Sequence, residues 1–136
     1  MKINGGCHCG NIEYATEIDN QKIALCHCTD CQQMSGAPCR GVVFANADNM
    51  TLTGTIKEYI KHSADSGNPR AQGFCPECGT HIYATTVEDD PKKIYMLRLG
   101  TVEQREKLTP TIEIWCDSRH NWVAPVDNAK QIAGQP

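Results

Sequence analysis

The chain has 136 residues, which is enough for one domain with a modest buried core. Its net charge of −3 at pH 7 and its sequence pI near 5.9 offer no basic surface to nucleic-acid phosphates, so we expect no nucleic-acid partner. No run approaches the ~18 apolar residues that cross a bilayer, and the first residues lack the apolar stretch of a secretory signal, which favours a cytoplasmic protein without membrane association.

The predicted elements, taken in chain order, are mostly strands. Period-two alternation, or runs of β-branched and aromatic residues between turn residues, predict strands at 11–16, 41–45, 51–55, 58–61, 80–86, 94–99 and 111–115. Thr29 or Asp30 is expected to cap a short helix that carries Cys31 in its first turn and ends at Gly36. These elements predict a mainly β fold in a single domain, residues 1–136, with a weakly patterned tail at about 126–136.

The nine cysteines carry the clearest functional signal. Their odd number and the missing export signal argue against a disulfide framework. Seven of them form three motifs, namely a CxC (Cys7 and Cys9), a CxCxxC (Cys26, Cys28 and Cys31) and a CxxC (Cys75 and Cys78). Two thiolates at such spacings can occupy adjacent corners of the tetrahedron that zinc prefers. The motifs therefore predict zinc binding.

The seven thiols divide naturally into four and three, because a structural zinc takes four protein ligands and a catalytic zinc keeps one position open. In one division, the CxC and the CxxC form a closed four-thiolate site and the CxCxxC holds a metal by itself. In the other, the last two cysteines of the CxCxxC join the CxxC as a ribbon-type site. The spacing alone does not decide between these divisions.

Four segments of the chain, in order, carry a recognisable family pattern. They are GCHCGNIEY at 6–14, CHCTDCQQMSGA at 26–37, FCPECGT at 74–80 and the closing stretch 110–122. Together they resemble the glutathione-dependent formaldehyde-activating enzyme family, which includes centromere protein V-type relatives. The resemblance implies a β-tent domain of antiparallel sheets stabilised by two zinc ions. It implies a structural zinc on Cys7, Cys9, Cys75 and Cys78, and a catalytic zinc with an open position on Cys26, Cys28 and Cys31.

The resemblance also implies a chemistry. The family reaction joins glutathione to formaldehyde as S-hydroxymethylglutathione, so we expect a carbon–sulfur lyase that forms or cleaves an adduct between glutathione, or a similar thiol, and a small aldehyde. A three-thiolate zinc would lower the pKa of the incoming thiol and so supply the thiolate nucleophile. The alternative is a zinc-stabilised binding module without catalysis, in which Cys39 or another group closes the second site. Glu113 stands where many relatives carry a histidine. If that histidine helps to bind substrate or to move a proton, a carboxylate would do so with a different charge and pKa.

The remaining candidate groups have ordinary structural interpretations. His27 lies between two predicted ligands and is expected to point away from the metal. Cys39 and Cys116 are expected to be small buried thiols, and Trp122 to lie in the core. Arg70 is expected in an exposed salt bridge, with a glutathione carboxylate as its alternative partner.

Overall fold

The computed structural model describes residues 1–64 and 67–136, and it confirms the mainly β prediction. The strands in these residues are β1 (Lys2–Gly6), β2 (Glu13–Glu17), β3 (Ile23–Cys26), β4 (Arg40–Asn46), β5 (Thr51–Thr53), β6 (Lys57–Lys61), β7 (Arg70–Phe74), β8 (His81–Thr86), β9 (Ile94–Arg98), β10 (Ile112–Ile114) and β11 (Lys130–Gln131). One helix, α1 (Thr29–Ser35), and four single 3₁₀ turns complete the described elements. None of these helices is long and apolar enough to span a membrane.

The strands form two sheets. β1, β2 and β5 make a three-stranded antiparallel sheet, and the other strands make an eight-stranded sheet in the order β11-β10-β3-β4-β9-β8-β7-β6. The expectation of purely antiparallel sheets is wrong for this second sheet, because β10 pairs in parallel with both β3 and β11. Parallel neighbours need long crossover connections. Residues 27–111 separate β3 from β10, and residues 115–129 separate β10 from β11, so both connections are long enough.

All seven predicted strands are present, with ends shifted by at most two residues, but β1, β3, β7 and β11 were not predicted. Glycine explains two of these failures, because it weakens the strand signal while serving packing. A Cβ on Gly73 of β7 would lie 2.4 Å from the ring of Tyr83, and one on Gly5 of β1 would lie 2.5 Å from the hydroxyl of Tyr14. These glycines leave room for the two tyrosine rings.

The predicted helix is present, and its start holds one correction. Gly36 ends α1 in the left-handed conformation, with φ of 66°, as expected. The N-cap is Cys28 and not Thr29 or Asp30, because the sulfur of Cys28 accepts a hydrogen bond from the Cys31 N–H at 3.2 Å. A predicted metal ligand therefore begins the helix that carries the next one.

The main core lies between the two sheets. Ile3 and Tyr14 of the small sheet belong to one buried cluster with Val43 and Leu97 of the large sheet. Side chains alternate across a strand, so the neighbours of these residues on β4 and β9 face the other way. That opposite face of the large sheet carries Arg40, Val42, Met96 and Arg98, and it is partly covered by α1 and by residues after β10.

Some side chains lie elsewhere than expected. Trp122 is 73% exposed and stacks on His120, so its predicted core position is wrong. Cys39 and Cys116 are half-buried rather than buried. The predicted weakly patterned tail returns to the large sheet through β11, and its Ile132 N–H donates to the Glu113 carbonyl oxygen at 2.9 Å.

Candidate metal centres and the adjoining cavity

The CxC and CxxC motifs meet in space and form the four-cysteine cluster. The sulfurs of Cys7, Cys9, Cys75 and Cys78 all lie within 4.8 Å of one another. Cys7 and Cys9 are 3.5 Å apart, and Cys9 and Cys75 are 3.7 Å apart. Zinc–sulfur bonds of 2.3 Å in a tetrahedron require sulfurs about 3.8 Å apart, so this donor set fits a closed four-thiolate site.

Two tight turns hold the four-cysteine cluster. The Ile12 N–H donates to the Cys7 sulfur at 3.2 Å, and Cys75 is fully buried at the end of β7. Hydrogen bonds from the hydroxyl and the backbone of Thr80 lower the pKa of Cys78 to about 5. Backbone and hydroxyl donors of this kind favour the thiolate form that binds a metal.

The CxCxxC sulfurs form a separate three-cysteine cluster. The sulfurs of Cys26, Cys28 and Cys31 lie within 4.8 Å of one another. Cys26 ends β3, Cys28 caps α1, and Cys31 sits in its first turn. The structure therefore groups the thiols as four and three, and it does not form the alternative ribbon-type grouping. Cys39 is outside the cluster, since its sulfur does not lie within 4.8 Å of all three others.

The three-cysteine cluster is arranged to carry negative charge on sulfur. Arg40 donates from Nη2 to the Cys31 sulfur at 3.2 Å, and both side chains are buried. The neighbouring thiols of Cys26 and Cys28, together with the Arg40 guanidinium, lower the pKa of Cys31 to about 2. Hydrogen bonds with Cys28 and Cys31, together with burial, raise the pKa of Cys26. Three sulfurs that favour the thiolate form are a donor set that fits zinc, as the sequence predicts.

A cavity of about 400 Å³ opens beside the three-cysteine cluster, and its lining includes all three of these cysteines. We call it the arginine-lined cavity, because Arg40, Arg70 and Arg98 line it from the face of the large sheet. Trp115 lines it from the segment that follows β10. A groove of about 460 Å³ along β1 and β2 reaches only Cys7 of the two clusters and is lined largely by small residues, so the arginine-lined cavity is the better candidate for chemistry.

Glu113 is not among the residues that line this cavity. Its side chain is fully buried, and its carboxylate accepts hydrogen bonds from His27 Nε2 at 2.8 Å, Gln131 Nε2 at 2.7 Å and the Val126 N–H at 2.8 Å. Burial opposes ionisation, but the donors from Gln131, His27 and Val126, together with the charge of Arg119 at 3.4 Å, outweigh it and lower the pKa of Glu113. His27 is also fully buried and, as predicted, is not among the residues that line the cavity.

The arginines are the site residues that sequence reasoning missed or misplaced. Arg70 is half-buried rather than exposed, lines the cavity and donates to the Met96 sulfur at 3.0 Å. No ion pair forms at Arg70 among the described residues. Arg40 and Arg98 had no assigned role. The sequence feature that could have indicated them is an arginine at the end of an apolar strand pattern, because a buried charge is costly unless it has a partner.

Comparisons with known proteins give a matching family and a solved structure with a similar fold. A family model described as glutathione-dependent formaldehyde-activating enzyme matches residues 2–118. The crystal structure of a Rhodobacter sphaeroides protein, determined as a structural-genomics target, is similar with a TM-score of 0.54 and 16% sequence identity, over 95% of this chain and 98% of that chain. At this identity, the likeness concerns the fold alone. No curated protein is significantly similar in sequence.

Proposed function

Because the chain belongs to the glutathione-dependent formaldehyde-activating enzyme family, we propose that it is a zinc-dependent carbon–sulfur lyase of the S-hydroxymethylglutathione synthase type. It forms or cleaves the adduct of glutathione, or a similar thiol, with formaldehyde or another small aldehyde. The observation that carries this proposal is the three-cysteine cluster, whose sulfurs open onto a cavity of about 400 Å³.

The two clusters have different roles in this proposal. Cys7, Cys9, Cys75 and Cys78 would hold a structural zinc that ties β1 to β7. Cys26, Cys28 and Cys31 would hold the catalytic zinc, which supplies Lewis-acid activation of a thiol when bound. Cleavage of the adduct is the same reaction in reverse.

Residues of the chain itself support the addition step. The sulfur of the thiolate bonds to the aldehyde carbon, the carbonyl π electrons move to oxygen, and solvent supplies the proton that completes the hemithioacetal. Arg40 Nε and Nη1 are buried and have no hydrogen-bond partner in the described residues. They belong to the guanidinium whose Nη2 donates to the Cys31 sulfur, and they are available to stabilise the developing alkoxide.

The competing interpretation is a binding module with two structural metals. It requires a fourth protein ligand at the three-cysteine cluster, and Cys39 was the predicted candidate. Because Cys39 lies outside that cluster and a cavity adjoins it, the enzyme is the better supported function.

Cobalt substitution tests the proposal directly. An open three-thiolate site changes its visible ligand-field spectrum when glutathione binds, whereas a closed site does not respond. Adduct formation from glutathione and ¹³C-formaldehyde, followed by NMR against the uncatalysed rate, gives the activity. Cys28→Ser should abolish both signals, and Cys116→Ser, a cysteine outside both clusters, should leave both intact. A spectrum that ignores glutathione, together with an uncatalysed rate, would refute the enzyme.

A further inference from the structure

The arginine-lined cavity concentrates positive charge inside the protein. Arg40, on β4, is 8% exposed, and Arg98, on β9, is 6% exposed. Arg70 adds a half-buried guanidinium from β7 on the same face of the sheet. Arginine is seldom buried without an anionic partner, because removing its charge from water is costly.

The described residues do not neutralise this charge. Arg98 Nη2 donates to the neutral Gln72 Oε1 at 2.8 Å, and its buried Nε has no partner in these residues. Arg70 donates to a thioether sulfur. The carboxylate among the described lining residues is Asp30, which is already paired with Lys61 at 2.7 Å.

The guanidiniums are also close enough to repel one another. Burial, followed by the charges of Arg40 and Arg70, lowers the pKa of Arg98 to about 9. Three thiolates around a divalent ion carry one net negative charge, and the Arg40 contact with Cys31 offsets it. Arg98 and Arg70 have no anionic partner among residues 1–64 and 67–136. A planar guanidinium pairs best with a carboxylate or a phosphate, and a carboxylate suits the small thiols and aldehydes of the proposed reaction.

We propose that Arg98 and Arg70 form a carboxylate-binding site in the arginine-lined cavity and select substrates that carry a carboxylate within reach of the three-cysteine cluster. The naming of the ligand as a substrate rests on the proposed function. Two kinds of substrate supply this group. One is a peptide-like thiol such as glutathione, and the other is an aldehyde acid, in which the carboxylate neighbours the carbonyl carbon. With the second kind, the natural aldehyde is not formaldehyde.

Calorimetric titration of the zinc-loaded protein with two pairs of probes tests this site. S-methylglutathione and its diethyl ester form the first pair, in which the methylated sulfur cannot react. Glyoxylate and ethyl glyoxylate form the second pair. In at least one pair we expect the acid to bind at least 10-fold more tightly than the ester, because a charge-assisted hydrogen bond contributes this much. A preference in the first pair assigns the carboxylate to the thiol, and a preference in the second assigns it to the aldehyde.

Variants connect the preference to the arginines. Arg98→Gln should lower the affinity for the preferred acid about 10-fold or more and leave the affinity for its ester unchanged. Arg70→Gln should act in the same direction, and its half-buried position keeps the test valid if Arg98→Gln fails to fold. Arg105→Gln removes an exposed guanidinium outside the cavity and should change neither affinity.

Failure of this proposal is distinguishable from failure of the proposed function. Equal binding of acid and ester in both pairs, or arginine variants that behave like Arg105→Gln, would overturn the carboxylate site even if adduct formation is catalysed. An arginine-dependent preference for an acid in a protein that catalyses no adduct formation would uphold the site and overturn the lyase.

Discussion

Removal of the Glu113 carboxylate should destabilise the fold strongly, although this residue does not touch the cavity. Glu113→Ala removes the acceptor of His27 Nε2 and of the Val126 N–H, and it breaks the ion pair of 3.4 Å between Arg119 Nη2 and the carboxylate. Each unsatisfied buried donor costs about 1–3 kcal/mol, and breaking a buried charged pair typically costs about 3–5 kcal/mol in total. We expect Glu113→Ala to lose about 3–5 kcal/mol of unfolding free energy, a large share of the roughly 5–15 kcal/mol that such domains have.

Glu113→Gln separates shape from charge. Its amide keeps one acceptor oxygen but turns an NH₂ group toward a donor, so we expect a loss of about 1–3 kcal/mol. Urea unfolding of the zinc-loaded protein measures both variants. Glu103→Gln alters an exposed glutamate and should stay within about 0.5 kcal/mol of the parent protein. A Glu113→Ala protein with the stability of the parent would refute the network.

Glu113→Gln should also weaken metal binding at the three-cysteine cluster and leave the four-cysteine cluster unchanged. His27 lies between Cys26 and Cys28, so its bond to Glu113 fixes the backbone that carries these sulfurs. Loss of such supporting contacts typically lowers metal affinity about 10–100-fold. In a titration with increasing concentrations of a chelator, one zinc should leave Glu113→Gln at a lower chelator concentration than it leaves the parent protein. The other zinc should leave both proteins at the same concentration. Equal loss of both zincs would contradict this reasoning.

The pH dependence follows from the lowered pKa of Glu113. A carboxyl whose folded-state pKa lies below its ordinary value of 4.5 contributes stability that is present above pH 4.5 and is lost as the pH falls through the folded-state pKa. The stability difference between the parent protein and Glu113→Gln should therefore be constant near neutrality and shrink in acid. A difference that grows below pH 4.5 would have the wrong sign for an ionised Glu113.

Three further outcomes are expected. Cys28→Ser should fold and bind one zinc, as elemental analysis would show. Two bound zincs in the folded variant would contradict the assignment of Cys28 as a ligand. Gly73→Ala should cost about 1–3 kcal/mol in urea unfolding, because its Cβ would meet the Tyr83 ring at 2.4 Å, while Gly100→Ala, whose Cβ would meet nothing within 4 Å, should not. Removal of both metals with a strong chelator should lower the thermal midpoint more than Cys28→Ser does, since the four-cysteine cluster joins distant parts of the chain.

Local signals explain what the sequence could predict. The three cysteine motifs were readable because two thiols within a few residues can share a metal wherever the fold places them. The grouping into four and three depended on the fold, since it places the ends of β1 and β7 side by side while Cys26 ends β3 elsewhere. The family resemblance anticipated this grouping, but the spacing did not.

The arginines and Glu113 depend on long-range structure instead. Arg98 is one charge at the end of a strand pattern, and only the pairing of β9 with β4 brings it near Arg40 and the three-cysteine cluster. Glu113 alternates with two isoleucines and gives no sign of burial in charged form. Its partners at 126 and 131 come from the weakly patterned tail. The surroundings of such a residue come from parts of the chain that are distant in sequence, so a local sequence pattern does not predict them.

The last strand has a consequence for any shortened version of this protein. The match to the family model ends at residue 118, yet Val126 and Gln131 lie beyond it and supply donors to Glu113, and Gln135 lines the arginine-lined cavity. A truncation chosen at the family boundary would remove these groups and leave a buried carboxylate without most of its donors. We therefore expect the smallest version of this protein that folds by itself to include the segment after residue 118, although that segment lies outside the match to the family model.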